Sequence, residues 1–297
     1  MPKNSLFLFL IPAFVVMGIF LFFPTIWGIY ISFTNQSLLG PTARDFKVIG
    51  LENFREIFQD PEFYSSLWMT FKFLIGSALI GQFLLGLFFA LYWDPRISGV
   101  HGGWAKKIVS NSMVISWILP PTVFAYCWLA FLNRGGALGQ ILGLFNVEPI
   151  PFLVIYPLLS IIVINIARGT AWSWLLFSSS LNTIPTELFE AADVDGASSL
   201  QKTFHIAFPL MKGHLALNAI LITLWTLAAF DFIYAITGGG PGEKTMLIGI
   251  YTYLKAFKFL EIGKGAAIAL IVLVIDFVAA SAYLLFSRRL SKGSEAL

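Results

Sequence analysis

The chain is built as long apolar runs separated by short polar segments, and two of the runs, Leu6 to Phe33 and Gly265 to Phe286, carry almost no charge. About 20 consecutive apolar residues cross a bilayer as a helix, and only helices or closed barrels satisfy every backbone polar group there. The pattern predicts six spans, at approximately 6–33, 67–92, 108–132, 152–178, 214–237 and 264–287. The expectation is therefore an all-α integral membrane protein, with 1–297 as a single transmembrane domain. Pro12 and Pro24 predict a kink in the first span, tolerable where neighbouring helices re-satisfy the freed backbone. Asn35 to Ser66 is polar, and the spacing of Phe54, Ile57 and Phe58 within it predicts a short amphipathic helix at the membrane surface. Asp94 to Lys107 reads as a short basic loop and Asn133 to Pro151 as a Gly-rich one.

Composition sharpens this picture. The 297 residues are 58% hydrophobic and 12% charged, about half the charged fraction of an ordinary soluble domain. Lys3 followed by Leu6 to Phe23 looks like the start of a secretory leader. No small-x-small cleavage site follows, however, and the apolar run continues through Trp27, Ile29 and Ile31, so a retained first helix is expected. A net charge of +3 with no basic stripe in a soluble segment argues against nucleic acid and fits a bilayer with anionic headgroups. One cysteine, Cys127, rules out an internal disulfide. The dispersed His101, His205 and His214 provide no metal framework.

Orientation follows the Lys/Arg distribution, which here barely decides: nine such residues fall inside and eight outside if the N-terminus is cytoplasmic. Placement favours that choice. Lys106-Lys107 and Arg288-Arg289 sit directly at span ends, whereas the outside cations are interleaved with Asp45, Glu52, Glu56 and Glu261. Both termini are expected on the cytoplasmic side.

The polar segment 182–212, between spans four and five, reads as two short helices. Pro185 and Glu187 suit a first helical turn, and Gly196 suits a left-handed stop. Ser198 or Ser199 can cap the next helix, which Pro209 then ends or kinks. Ala191-Ala192 offers a small-residue face flanked by acids able to meet cations on a partner. Composition alone allows an ordinary polar connector equally well.

At this segment the chain resembles a known family. Glu190-Ala191-Ala192, three residues, Gly196, nine residues, Ile206, and Phe208 where Leu usually precedes Pro209 look like the EAA signature of binding-protein-dependent ABC importer permeases. A second set of residues is similar to the sugar permeases related to the maltose and glycerol-3-phosphate systems. It comprises Gly50 to Phe54, Phe230 to Tyr234, Thr237 to Pro241, Tyr251 to Tyr253 with Ala256-Phe257, and Gly263 with Gly265 to Ala267. The resemblance implies a type I ABC importer permease fold with six transmembrane helices, multi-pass in a bacterial or archaeal cytoplasmic membrane. It implies that Glu190, Ala191, Ala192, Asp195 and Gly196 couple the chain to an ATPase. The implied partners are a second permease subunit, expected to form a heterodimer, two ATP-binding subunits and an extracytoplasmic solute-binding protein. ATP and Mg would be bound by the ATPase subunits, with no cofactor or catalytic residue in this chain.

Gly238 to Thr245 superficially looks like a phosphate-binding P-loop. Glu243 stands where glycine must precede Lys244, Pro241 removes a donor and no strand precedes, so a tight turn fits better. Charges at membrane depth default to functional hypotheses. Lys72 can snorkel from the outer end of its span, and Asp276 can pair within the bundle. Arg168 and Asp231 lie among aromatic and polar residues, a mixture that suits a carbohydrate path; helix-packing glue is the competing reading. By the resemblance, Asn165, Arg168, Trp172, Trp225, Phe230 and Asp231 line a substrate path. The rival class is an ion-gradient-driven secondary transporter, which normally shows inverted repeats and more spans.

Overall fold

The computed structural model describes residues 3–292; the termini themselves, including the C-terminal residue whose cytoplasmic placement is expected, lie outside them. The apolar runs form helices α1 (Leu10–Ser32), α3 (Pro61–Tyr92), α7 (Pro157–Asn182), α9 (Ser199–Leu227) and α12 (Ile262–Lys292). Between them lie α2 (Glu52–Gln59), α4 (Gly103–Ile118), α5 (Pro121–Leu132), α6 (Ala137–Leu144), α8 (Thr186–Val194), α10 (Asp231–Thr237) and α11 (Ile248–Tyr253). Among the described residues five helices are long and apolar enough to cross a membrane, and six if the bent pair after α3 counts as one span.

Two predicted spans are redrawn. The third, expected as one helix over 108–132, breaks after Ile118 and turns by 117° before Pro121. Pro120 and Pro121 lack amide hydrogens and cannot continue the α4 ladder. The Gly-rich loop after it contains α6, whose Ala and Leu content outweighs Gly139 and Gly143. The fifth span starts fifteen residues early and ends ten early: α9 runs through Pro209, which neither ends nor breaks it. A turn of wider π type over Thr203–Ala207 precedes Pro209 and accommodates its missing donor. At the far end Asp231 opens a new helix, α10, since an acid is better placed in a first turn than inside an apolar span.

The chain divides into two compact units. One comprises the described residues up to Ser65 with Ile250–Ile275. Here the amphipathic helix is present, but its buried face is Asn53 and Ile57, while Phe58 is exposed. Asn53 Nδ2 donates to the carbonyls of Ser32 (2.9 Å) and Thr34 (2.8 Å) and ties α2 to the end of α1. Asp60 accepts from Tyr251 Oη at 2.6 Å and Lys255 Nζ at 3.0 Å. Burial opposes ionisation of Asp60, but these hydrogen bonds outweigh it and hold the carboxyl below its usual value; burial and the same bond push the Tyr251 phenol well up. Lys264 bridges Glu56 and Glu261, both at 2.8 Å, so two of the acids interleaved with cations along the sequence are ion-pair partners.

The other unit comprises Ser66–Gly249 with the described residues from Asp276 onward. At its centre α7 packs along α3, α4 and α9. The α3–α7 seam is made of small residues, as expected where no hydrophobic effect separates helix from lipid. A Cβ at Gly86 would meet Ser173 Cβ at 2.4 Å and Trp174 N at 2.9 Å, and one at Gly81 would meet Ile166 at 2.2 Å. Buried hydrogen bonds join α7 to α3 and to α9: Asn165 Nδ2 donates to Ser77 Oγ (2.8 Å) and Asn218 Nδ2 to Ser173 Oγ (2.9 Å). Gly86→Ala is expected to cost about 1–3 kcal/mol as overpacking, read as a lowered melting temperature of the detergent-solubilised chain, while Ala90→Gly, at a buried position without that close approach, costs at most about 1 kcal/mol of helix propensity plus a lost methyl.

Candidate functional site

Two sites emerge, one at the turn after α7 and one at mid-span, both within the unit that contains α7. At the first, Gly196 has φ +74°, a conformation glycine adopts without steric cost. Its N–H donates to the carbonyl of Asp193 at 3.1 Å and that of Ala197 to Ala192 at 2.8 Å, the paired bonds of a Schellman stop. Ser198 then caps α9 in a capping box with Gln201. Pro185 stands just before the first turn of α8, as its N-cap. Glu190, Ala191, Asp195 and Gly196 are exposed and Ala192 is half-buried. Val194 is 88% exposed, so α8 carries an uncovered apolar side chain at its tip.

The opposite face of α8 is anchored. Phe189 is 1% exposed and joins a core with Trp93, Ile97, Trp174, Phe177, Leu181 and Met211. Arg96 holds this base from the turn after α3. Its guanidinium donates to Asp94 through Nε (2.9 Å) and Nη2 (2.6 Å), and to the carbonyls of Leu181 (2.9 Å) and Ile184 (3.1 Å). It also lies 4.9 Å from the Phe189 ring centre. The hydrogen bond to Asp94 raises the Arg96 pKa against the opposing effect of burial, so the guanidinium stays charged. Lys202, itself buried, donates to the Arg96 carbonyl at 3.0 Å and pairs with Asp193. Arg96 and Lys202 carry little signal along the sequence because the carbonyls they hold lie 85 to 106 positions away.

The mid-span site is a cavity of about 140 Å³ lined by Asn165, Arg168, Trp172, Trp225 and Asp231, five of the six residues expected on a path. Phe230 is outside this lining and stacks on Tyr234, ring centres 5.2 Å apart. Asn165 borders the cavity, yet its amide N–H is committed to Ser77. Gln82, Trp117 and Thr226 line it too. Gln82 was legible as a lone amide in an apolar run; Trp117 was not, since aromatics are common throughout the chain. Trp117, Trp172 and Trp225 form a chain of rings with centres 5.6 and 4.8 Å apart. Arg168 Nε and Trp172 Nε1 are buried and have no hydrogen-bond partner among the described residues. Indole faces beside such donors can hold a polyhydroxylated ring by stacking and hydrogen bonding. Gly238 to Thr245 forms a turn closed by Thr245 Oγ1, which donates to the Gly240 carbonyl at 2.8 Å.

Residues 82–292 match the family described as binding-protein-dependent transport system inner membrane component. A probable ABC transporter permease of Pyrococcus horikoshii is 31% identical, over 94% of each chain. A trehalose/maltose transport system permease of Thermococcus litoralis is 30% identical, over 91% of this chain and 90% of the relative. The fold is similar to that of a chain in the crystal structure of a bacterial alginate ABC transporter in complex with its alginate pentasaccharide-bound periplasmic protein. There the TM-score is 0.82 at 21% identity, with 98% and 96% of the two chains covered.

Proposed function

This chain belongs to the binding-protein-dependent transport system inner membrane components, and as an ABC importer permease we propose that it translocates a saccharide delivered by an extracytoplasmic binding protein. The observation that carries the substrate reading is the cavity where three indoles meet unpartnered donors at mid-span. The names of relatives agree with it: one serves trehalose and maltose, and the alginate structure contains a saccharide-loaded periplasmic protein.

The ATPase lies on separate subunits that dock on α8. Its exposed Glu190, Ala191, Asp195 and Val194 offer acids and a small apolar tip to a cleft, while the buried Phe189 and the Arg96 clamp make α8 rigid against the ends of α3 and α7. ATP-driven closure of the two ATPases moves α8 as a lever, and the spans it is clamped to switch the cavity between the two membrane faces. A second permease subunit completes the path. Residues 10–30 of α1 have no buried side chain among the described residues, and burial begins only at Ile31 and Ser32, which leaves most of that helix for lipid and the partner. Both termini face the cytoplasm, the side of α8.

Uptake by the reconstituted importer tests this reading. ATP and binding protein are both required, and Trp172→Ala and Trp225→Ala each lower uptake at least tenfold while binding-protein-stimulated ATP hydrolysis persists. Uptake that proceeds on an ion gradient without ATP would instead establish a secondary transporter.

A further inference from the structure

The mid-span cavity is lined by one cation, Arg168, and one acid, Asp231, which form no ion pair with each other. Arg168 borders it, its Nε is buried without a hydrogen-bond partner, and the guanidinium forms no ion pair among the described residues. An arginine at membrane depth is costly unless something compensates it. Two polar side chains of α7 that flank Arg168 in sequence are already engaged: Asn165 with Ser77 and Ser173 with Asn218. Gln82, the amide nearest in the packing, spends its Nε2 on the Asn165 carbonyl at 3.1 Å. Asp231 is the one acid in the lining; it is exposed, stands at the start of α10 and forms no ion pair with Arg168. Trp172 adds a second buried donor without an acceptor. The Arg168 guanidinium therefore has no charged partner in the lining, and sugar hydroxyls would offer it only neutral acceptors.

We propose that the solute is an acidic saccharide, bearing a carboxylate, sulfonate or phosphate, whose anionic group engages the Arg168 guanidinium while its ring lies against Trp172 and Trp225. This rests on the reading of the cavity as part of the saccharide path. A planar or tetrahedral oxyanion can take two parallel N–H donors of the guanidinium, a geometry an ammonium does not reproduce.

The test is saturation-transfer NMR on the purified complex of this chain with its partner subunits, titrated with D-glucuronate and D-glucose, which differ in one carboxylate. Glucuronate is expected to bind at least tenfold more tightly. Arg168→Gln removes that preference, Arg168→Lys restores part of it, and Asp231→Asn strengthens glucuronate binding. Equal affinity for the two sugars, binding of neither, or a glucuronate preference that survives Arg168→Gln overturns the proposal. Trp172→Ala separates the two readings. If it weakens both sugars alike while wild type shows no charge preference, the path stands and the acidic class fails; if it weakens neither, the path assignment fails with it.

Discussion

Gly196→Pro is expected to abolish ATP-coupled uptake while the chain still inserts in the membrane. Gly196 has φ +74°, whereas proline is held near −65°. Proline also removes the N–H that donates to Asp193 and disfavours the helical conformation now held by Asp195. Both bonds of the helix stop are lost, so α8 frays and the chain leaves it in a new direction. The change lies at an exposed turn far from the apolar runs that drive insertion. Gly196→Ala gives the scale of the backbone term alone, about 1–2 kcal/mol for a left-handed residue with a Cβ. Uptake by proteoliposomes containing the full importer should fall more than tenfold for the proline variant and partially for alanine. Normal uptake by Gly196→Pro would remove α8 from the coupling path.

Arg96→Ala acts on the other face of the same helix. It leaves the Asp94 carboxylate, 7% exposed, without its cation, and two carbonyls at the end of α7 and the start of the turn without their donor. Breaking a buried pair costs about 3–5 kcal/mol, and the 19% exposure of Arg96 places the effect toward the lower end. Melting of the detergent-solubilised importer should drop by on the order of 10 °C, with uptake reduced in parallel. Two controls separate an ion-pair clamp from generic packing. Arg96→Lys rescues little, since one ammonium cannot serve Asp94 and two carbonyls at once. Arg96→Ala combined with Asp94→Ala should be less destabilised than Arg96→Ala alone, because no buried charge remains unpaired. A double variant worse than the single one would contradict the clamp.

How much of this was readable beforehand depended on the range of the interaction. The first, second, fourth and sixth spans follow from apolar runs, and their helices lie within several residues of expectation. Gly196 and Ser198 were legible because a helix stop and a cap are local: donor and acceptor lie within five residues. The break at Pro120-Pro121 was equally local and was obscured by the apolar run passing over it. Pro209 misled in the opposite direction, since a change in hydrogen-bond spacing just upstream absorbed it. The five cavity residues came from the resemblance, applied to polar and aromatic positions at mid-span. What did not follow was that Asn165 spends its amide on packing or that Phe230 turns aside.

The amino-acid sequence alone determined that this is a multi-span helical membrane protein with an exposed helix carrying Glu190-Ala191-Ala192 and a glycine stop. Hydrophobicity and capping are properties of a residue and its near neighbours, and they survive being read along a line. The tertiary structure decided the rest: that Arg96 clamps α8 to the end of α7, that Gly86 lets α3 meet α7, and that Arg168 faces its cavity unpaired. Each of these depends on which groups meet across about 80 to 90 residues of chain, and pairing at that distance is set by packing geometry.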